Sequence, residues 1–383
     1  MTALLAQWQG LSIRRRFGWL TIGFILLLGL WLTFRRFFIG LGDVTNLTDE
    51  FPWGFWIAFD VIGGVALAAG GFTLCFLVYI FGYQRYHSIV RPTVLTAFLG
   101  YILVAVGLMY DLGKYFNIWH PIIMWNPHSV MFEVAWCVIL YLTVLFLEFL
   151  PVVLEKFNLK TPLRMMQKMT IPIVLMGVIL STLHQSSLGS VFLIVPNKLH
   201  QLWYTPILPL LFFLSAVMVG PAMVILESML SARMFHRGLE TPILADLSRF
   251  MQVALIVYAA IKIQDLFVRG VVDDLFTGSY ESFHFMGEML LLFGAFVILA
   301  FRKLRVKPAW LFTAATLVGL GVVYNRMNVA WIGMLRGTGS YYMPAWTELA
   351  TSLFLITAGI VAFFVIVKYF PVFPELEEEK NHA

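Results

Sequence analysis

Of 383 residues, 60% are hydrophobic and 12% charged, a balance that no water-facing globular surface carries, so the chain reads as a polytopic membrane protein. The net charge of +5 does not point to nucleic acid, because the lysines and arginines cluster in short stretches between apolar runs, as membrane orientation requires. Cys75 and Cys137 are the only cysteines, and both lie inside apolar segments. Neither a disulfide framework nor an iron–sulfur cluster in this chain is therefore expected.

In chain order, Arg14, Arg15 and Arg16 precede an apolar run near 18–39 that is too long for a signal peptide core and lacks a small-residue cleavage site, so it reads as a retained first helix. Further apolar windows follow near 53–81, 91–111, 128–150, 167–188, 203–230, 247–270, 281–301, 309–331 and 345–370. The expectation is an all-α, single integral membrane domain over 1–383 with about ten transmembrane helices. Gly63, Gly64, Gly70 and Gly71, with Ala66, Ala68 and Ala69, give the second span small-residue faces for close helix packing.

Basic residues set the orientation. One set of loops holds Arg85, Arg91, the stretch from Lys156 to Lys168, Arg233, Arg237 and the stretch from Arg302 to Lys307. The opposite set carries fewer cations and adds Asp43, Asp49, Glu50, Asp273 and Asp274. The positive-inside rule then puts both termini in the cytoplasm. Spans two to five and six to nine each cross four times in the same sense. They are expected to form two four-helix bundles, 53–188 and 203–331, with a flanking helix at each end. The tail from Glu375 to Lys380 reads as a solvated end.

Ionisable groups placed on this topology form a depth map. Asp60 falls roughly 10 Å inside the second span, Glu133 about one turn inside the fourth, and His184 within a turn of the outer end of the fifth. In the second bundle Lys262, Asp265, Glu288 and Arg326 also favour the outer half, while Glu148 and Glu227 lie near the inner face. Charges in hydrocarbon are costly and by default mark a functional path. The plainer reading of the second-bundle residues is interhelical ion pairing, for instance Lys262 with Glu288. A membrane dihaem cytochrome needs about four axial histidines at intramembrane positions, and only His184 of the eight histidines is well inside, so no haem is expected.

Several segments resemble a known family: Phe51-Pro52-Trp53-Gly54 leading to Ala58-Phe59-Asp60, Phe132-Glu133, Leu147-Glu148-Phe149-Leu150-Pro151, Leu183-His184-Gln185-Ser186-Ser187-Leu188-Gly189-Ser190 and Pro344-Ala345-Trp346-Thr347-Glu348. They are similar to the NrfD, or polysulfide-reductase, membrane-subunit family, and within it to the hydrogenase-2 branch of HybB type. The resemblance implies a haem-free, quinone-reactive anchor in the bacterial inner membrane. It also implies a ferredoxin-like iron–sulfur subunit and a catalytic enzyme docked on the periplasmic face. In that branch the enzyme would be the large and small subunits of a nickel–iron hydrogenase; polysulfide, nitrite or dimethyl-sulfoxide reductase chemistry would use a similar membrane part.

On this reading a menaquinone or ubiquinone head group binds in the outer half of the first bundle. His184 hydrogen-bonds a carbonyl, Asp60 and Glu133 relay protons, and Trp56, Phe59 and Phe132 line the slot. Asp60, Glu133, Lys262, Asp265, Glu288 and Arg326 are the candidate steps of a proton path across the membrane. Two rivals stand beside it: a secondary transporter, which would favour broken helices near the bilayer middle, and a passive anchor that never touches quinone.

Overall fold

The computed structural model describes residues 13–51, 53–339 and 341–373. The leader-like start before Ile13, Pro52 of the Phe-Pro-Trp-Gly segment, His382 and the acidic tail from Glu375 to Lys380 lie outside the described residues. Ten helices among the described residues are long and apolar enough to cross a membrane. They are α1 (Arg16–Ile39), α2 (Ile57–Ile80), α3 (Gln84–Asp111), α4 (Val130–Lys156), α5 (Lys160–Ile194), α6 (Leu208–Met234), α7 (Thr241–Arg269), α8 (Tyr280–Ala300), α9 (Pro308–Met334) and α10 (Trp346–Tyr369). No strand occurs among the described residues.

The helices outrun their apolar windows where a turn projects beyond the hydrocarbon. α5 starts at Lys160 rather than near 167, because Lys160, Arg164 and Lys168 are exposed on a helical extension that an apolar window leaves out. The alternation of spans gathers the basic loops at one end, where Arg85 pairs with Asp246 at 2.5 Å, Arg91 with Glu155 at 2.8 Å, and Ser88 donates to Glu240 at 2.8 Å. At the opposite end the Asn46 side chain donates to the Met343 carbonyl at 3.0 Å, the His200 amide to Gly333 at 2.8 Å, and Arg336 meets Glu281 at 2.9 Å.

Packing follows chain order. α2 lies against α3, α3 against α4, α4 against α5, and α5 returns to α2; α6, α7, α8 and α9 close a second ring in the same way. α2 also packs on α6 and α9, and α5 on α6. The two terminal helices lie on one flank, α10 against both α1 and α3. There the Thr33 hydroxyl meets Tyr110 at 2.5 Å and Arg36 donates to the Tyr110 and Leu112 carbonyls at 2.5 and 2.6 Å.

α2 is the most enclosed span, with 83% of its apolar window buried. It is not the single regular helix expected. π-helical turns occupy Ile57–Gly63 and Phe76–Ile80, and the helix is interrupted at Ala68 and Ala69 between short α segments. Thr73 closes the interruption by donating its hydroxyl to the Ala69 and Gly70 carbonyls at 3.0 and 3.1 Å. Irregular backbone at this depth is tolerated where protein, not lipid, surrounds it.

Small residues permit the enclosure: a β-carbon on Gly71 would stand 2.7 Å from the Ala97 β-carbon, and one on Gly70 would stand 3.3 Å from the Gly220 carbonyl. A close approach to backbone lies at Gly189, where an added β-carbon would come within 2.6 Å of the Pro209 α-carbon, so α5 meets the start of α6 backbone to backbone. Because backbone cannot rotate away, Gly189→Ala is expected to force the helices apart at a cost of about 1–3 kcal/mol. Thermal unfolding of the detergent-purified protein would register the loss, and an unchanged melting temperature would contradict the close approach.

Candidate functional site

Sequence reasoning put Asp60, Glu133 and His184 in the outer half of the first bundle; the structure distributes them over three neighbourhoods. His184 and Gln185 sit on the inward face of α5 with no exposed surface. The Gln185 amide donates to the Val65 carbonyl of α2 at 3.0 Å, which ties the two helices together. The His184 ring lies 5.7 Å from that of Tyr101, which in turn meets Tyr141 edge-on at 4.6 Å.

Around these rings six polar atoms make no well-aligned hydrogen bond: both nitrogens of His184, Oε1 of Gln185, and the hydroxyls of Ser181, Tyr101 and Tyr141, of which Ser181 stands close to both tyrosines. Each buried, unsatisfied donor or acceptor costs about 1–3 kcal/mol. A cluster of six belongs to a site that exchanges hydrogen bonds or protons rather than to inert core.

Glu133 stands one turn nearer the membrane surface. It is in the first turn of α4, which Ser129 caps by accepting the Phe132 amide at 3.4 Å, and its side chain is exposed. Ser187 of α5 donates to the Glu133 carboxylate. Since Ser187 follows His184 by three residues, both project from one face of α5 about 5–6 Å apart at their β-carbons.

Phe132 packs between Trp125 at 5.6 Å and Trp136 at 6.3 Å, and the two tryptophans lie 5.0 Å apart. The depth map did not find Trp125 and Trp136. The density of tryptophan from Trp119 to Trp136 was the available signal.

Asp60 is buried on the other side of α2. It accepts from Ser352 of α10 and packs where Gly107 of α3 leaves room. Trp56, one turn earlier, donates its indole N–H to the Glu348 carbonyl at 3.1 Å and stands edge-on to Tyr110 at 5.8 Å. Glu348 accepts from Tyr342, whose hydroxyl also receives the Phe55 amide at 2.9 Å. Burial, then the neighbouring Glu348 carboxylate, push the Tyr342 phenol well above its usual range. Phe59 stacks on Phe55 at 5.3 Å. Asp60, Trp56 and Phe59 thus share no recorded side-chain contact with His184 or Glu133.

The second ring holds its charges differently. Lys262 and Glu288 form a buried ion pair, and Glu288 is further satisfied by Asn325 at 3.1 Å, Asn328 at 2.7 Å and the Trp203 indole at 3.3 Å. Arg326, also buried, donates to the Phe212 carbonyl at 3.1 Å and Ser215 at 2.7 Å, with its guanidinium 3.5 Å from the centre of the Phe212 ring. Asp265 joins the loop before α6 to α7, accepting from Thr205 at 2.7 Å and Arg269 at 2.8 Å.

With Lys262→Met alone, Glu288 would remain as a buried anion held by neutral donors. A loss of about 3–5 kcal/mol is expected, most of it recovered when Glu288→Gln is added. A double-mutant cycle in thermal unfolding checks this; simple additivity of the two losses would show that the pair is not coupled.

No group of three or more metal-ligating side chains occurs among the described residues. The sequence matches the family described as Polysulphide reductase, NrfD, over residues 43–336. A protein of Nitratidesulfovibrio vulgaris is 39% identical over 370 residues, covering 94% of this chain and 95% of that one. The probable Ni/Fe-hydrogenase 2 b-type cytochrome subunit of Escherichia coli is 33% identical over 365 residues, covering 94% and 93%. The integral membrane subunit of a menaquinone reductase from N. vulgaris is 29% identical over 397 residues, covering 95% and 91%. A family match across most of the chain, joined to end-to-end likeness above 30% identity, makes this protein a member of the NrfD family.

Proposed function

We propose that this chain is the quinone-reactive, haem-free membrane subunit of a respiratory oxidoreductase, linking an iron–sulfur partner to the quinone pool of the bacterial inner membrane. The observation that carries the reading is the exposed Glu133 carboxylate, bound to Ser187, one turn outside a closed set of polar groups around His184 that make no well-aligned hydrogen bond. A quinone, when bound, accepts two electrons and two protons, so its site needs an apolar wall and groups that hold or move protons.

Trp125, Phe132 and Trp136 supply the wall. Glu133 and Ser187 meet the carbonyl end, and His184, which has no exposed surface, serves them from behind instead of touching the head group itself. Asp60 and Trp56, on the α10 side of α2, and Phe59, stacked on Phe55, act on the site through the packing of α2 and not by lining it.

The E. coli relative's name includes a b-type cytochrome. A haem spanning two helices needs axial side chains converging on one iron, and His184 is the one buried histidine among the described residues, with the Tyr101 ring against it. This favours quinone over haem at His184. The same relative's name supports a nickel–iron hydrogenase as the partner, and the menaquinone reductase relative supports menaquinone as the carrier.

With the basic loops in the cytoplasm, the partner docks at the opposite, periplasmic end, nearest Glu133. In the second ring, Lys262, Glu288 and Arg326 spend their hydrogen bonds on fixed neighbours, which supports anchoring rather than proton passage. The interruption of α2 is the one feature that favours a transporter, and co-purification of iron–sulfur subunits in mild detergent separates the two readings.

His184→Ala and Glu133→Gln are each expected to leave the complex assembled and able to reduce a water-soluble dye at the partner, while quinone turnover falls by about a hundredfold. Assembled variants that both reduce quinone at the unmodified rate would overturn the proposal.

A further inference from the structure

Glu227, on the inner part of α6, is absent from the quinone chemistry above, yet its carboxyl oxygens make no well-aligned hydrogen bond, with the Ser228 and Ser231 hydroxyls as their nearest donors. Two cavities meet at this side chain. One lies among the loops of the basic end, lined by Ser88, Ser228, Ser231, Arg237 and Glu240; its volume, counted as room for the centres of water molecules, is about 30 Å³. The other, of about 10 Å³, lies against the interruption of α2 and is lined by Ala68, Gly70, Gly71, Thr93 and Thr96. By that measure a water needs roughly 10–15 Å³ and two to four polar partners, so the first has room for about two waters and the second for about one. A polar cavity among the loops and a largely apolar one beside α2, which Leu67, Ala97, Met223 and Val224 also line, meet at one carboxyl that forms a step between water and the protein interior.

The inner cavity leads onward. A β-carbon on Gly71, which lines it, would stand 3.8 Å from the Tyr141 hydroxyl. Tyr141 meets Tyr101, and Tyr101 meets His184, with the Ser181 hydroxyl beside both tyrosines. Ser181 stands within hydrogen-bond reach of both tyrosines, and the His184 nitrogens have no partner. Glu227, the small inner cavity and these side chains thus lie in series between the loops of the basic end and the imidazole, in a region otherwise filled by aliphatic and aromatic core.

We infer that Glu227 is the proton-loading carboxyl of an inlet from the basic end, which serves His184 through the cavity at the α2 interruption and the hydroxyls of Tyr141, Ser181 and Tyr101. Uptake forms an O–H bond on a carboxylate oxygen of Glu227 as one breaks in a protonated water of the outer cavity. Onward transfer breaks that bond as another forms on the water beside Gly71. Only the proton moves, and no oxidant or reductant takes part.

Arg237 and Glu240 face the mouth, Arg237 with its guanidinium 3.8 Å from the centre of the Phe373 ring, and Glu148 and Cys75 face Tyr141 from α4 and α2. The destination rests on the quinone reading given above; the inlet does not. Under the positive-inside rule the basic end is cytoplasmic, so protons consumed at an outer-half site would be drawn from the cytoplasm.

Two measurements on the purified complex test this. In the first, infrared spectra are taken while the medium is changed in pH and from H2O to D2O. A carboxyl C=O band that titrates, shifts with deuterium and is lost in Glu227→Gln is expected; the same titrating bands in the variant as in the unmodified complex would refute the inlet.

In the second, the complex is sealed in vesicles and driven to reduce quinone. Glu227→Gln is expected to slow turnover at least tenfold and Glu227→Asp to restore most of it. Proton uptake is expected on the basic side. Normal turnover in Glu227→Gln, or uptake on the opposite side, refutes the route. Normal turnover in His184→Ala strikes the quinone reading instead, and the infrared result still decides Glu227 alone.

Discussion

A polar atom withdrawn into hydrocarbon has no water to fall back on, and the whole architecture can be read as the ways this chain meets that constraint. In the second ring it is met around Glu288 largely by pairing, with Nε of Arg326 and Oδ1 of Asn328 left over. Glu288 gathers Lys262, Asn325, Asn328 and Trp203, and Arg326 is held by carbonyl, hydroxyl and aromatic face. Such a network fixes geometry and gives its members little freedom to exchange protons. In the first ring the constraint is left open around His184, Tyr101, Tyr141, Ser181 and Gln185.

The ten spans were legible in the sequence because length and apolarity determine them, and the placement of His184 and Glu133 in one half of the bilayer followed from counting residues along each helix. The pairing of Lys262 with Glu288, foreseen as the plain alternative to a proton path, is present. What counting does not supply is direction around the helix axis. Asp60 shares a depth with His184 but projects toward Ser352, because α10 returns to lie beside α1 and α3, a contact between distant parts of the chain. Tyr101 and Tyr141 went unnoticed for the related reason that tyrosine in an apolar run reads as core until its hydroxyl is found without a well-aligned partner.

α2 was the element read least well. Its glycines and alanines were correctly tied to close packing, as the approaches of Gly70 to Gly220 and Gly71 to Ala97 demonstrate. Glycine, however, weakens a helix as well as letting it be enclosed. Surrounded by α3, α5, α6 and α9, the chain gives up regular hydrogen bonding at Ala68 and Ala69 and in two π-helical turns. Composition announced proximity, and the same composition permitted irregularity, which no periodicity argument separates from it.

The Thr73 hydroxyl adds one more consequence. Because it occupies the carbonyls of Ala69 and Gly70 from within α2 itself, the gap in that helix is maintained by its own covalent neighbours and not by a guest or a passing contact. The hollow alongside Gly71 accordingly lies against an irregularity that the helix holds in place with its own side chain.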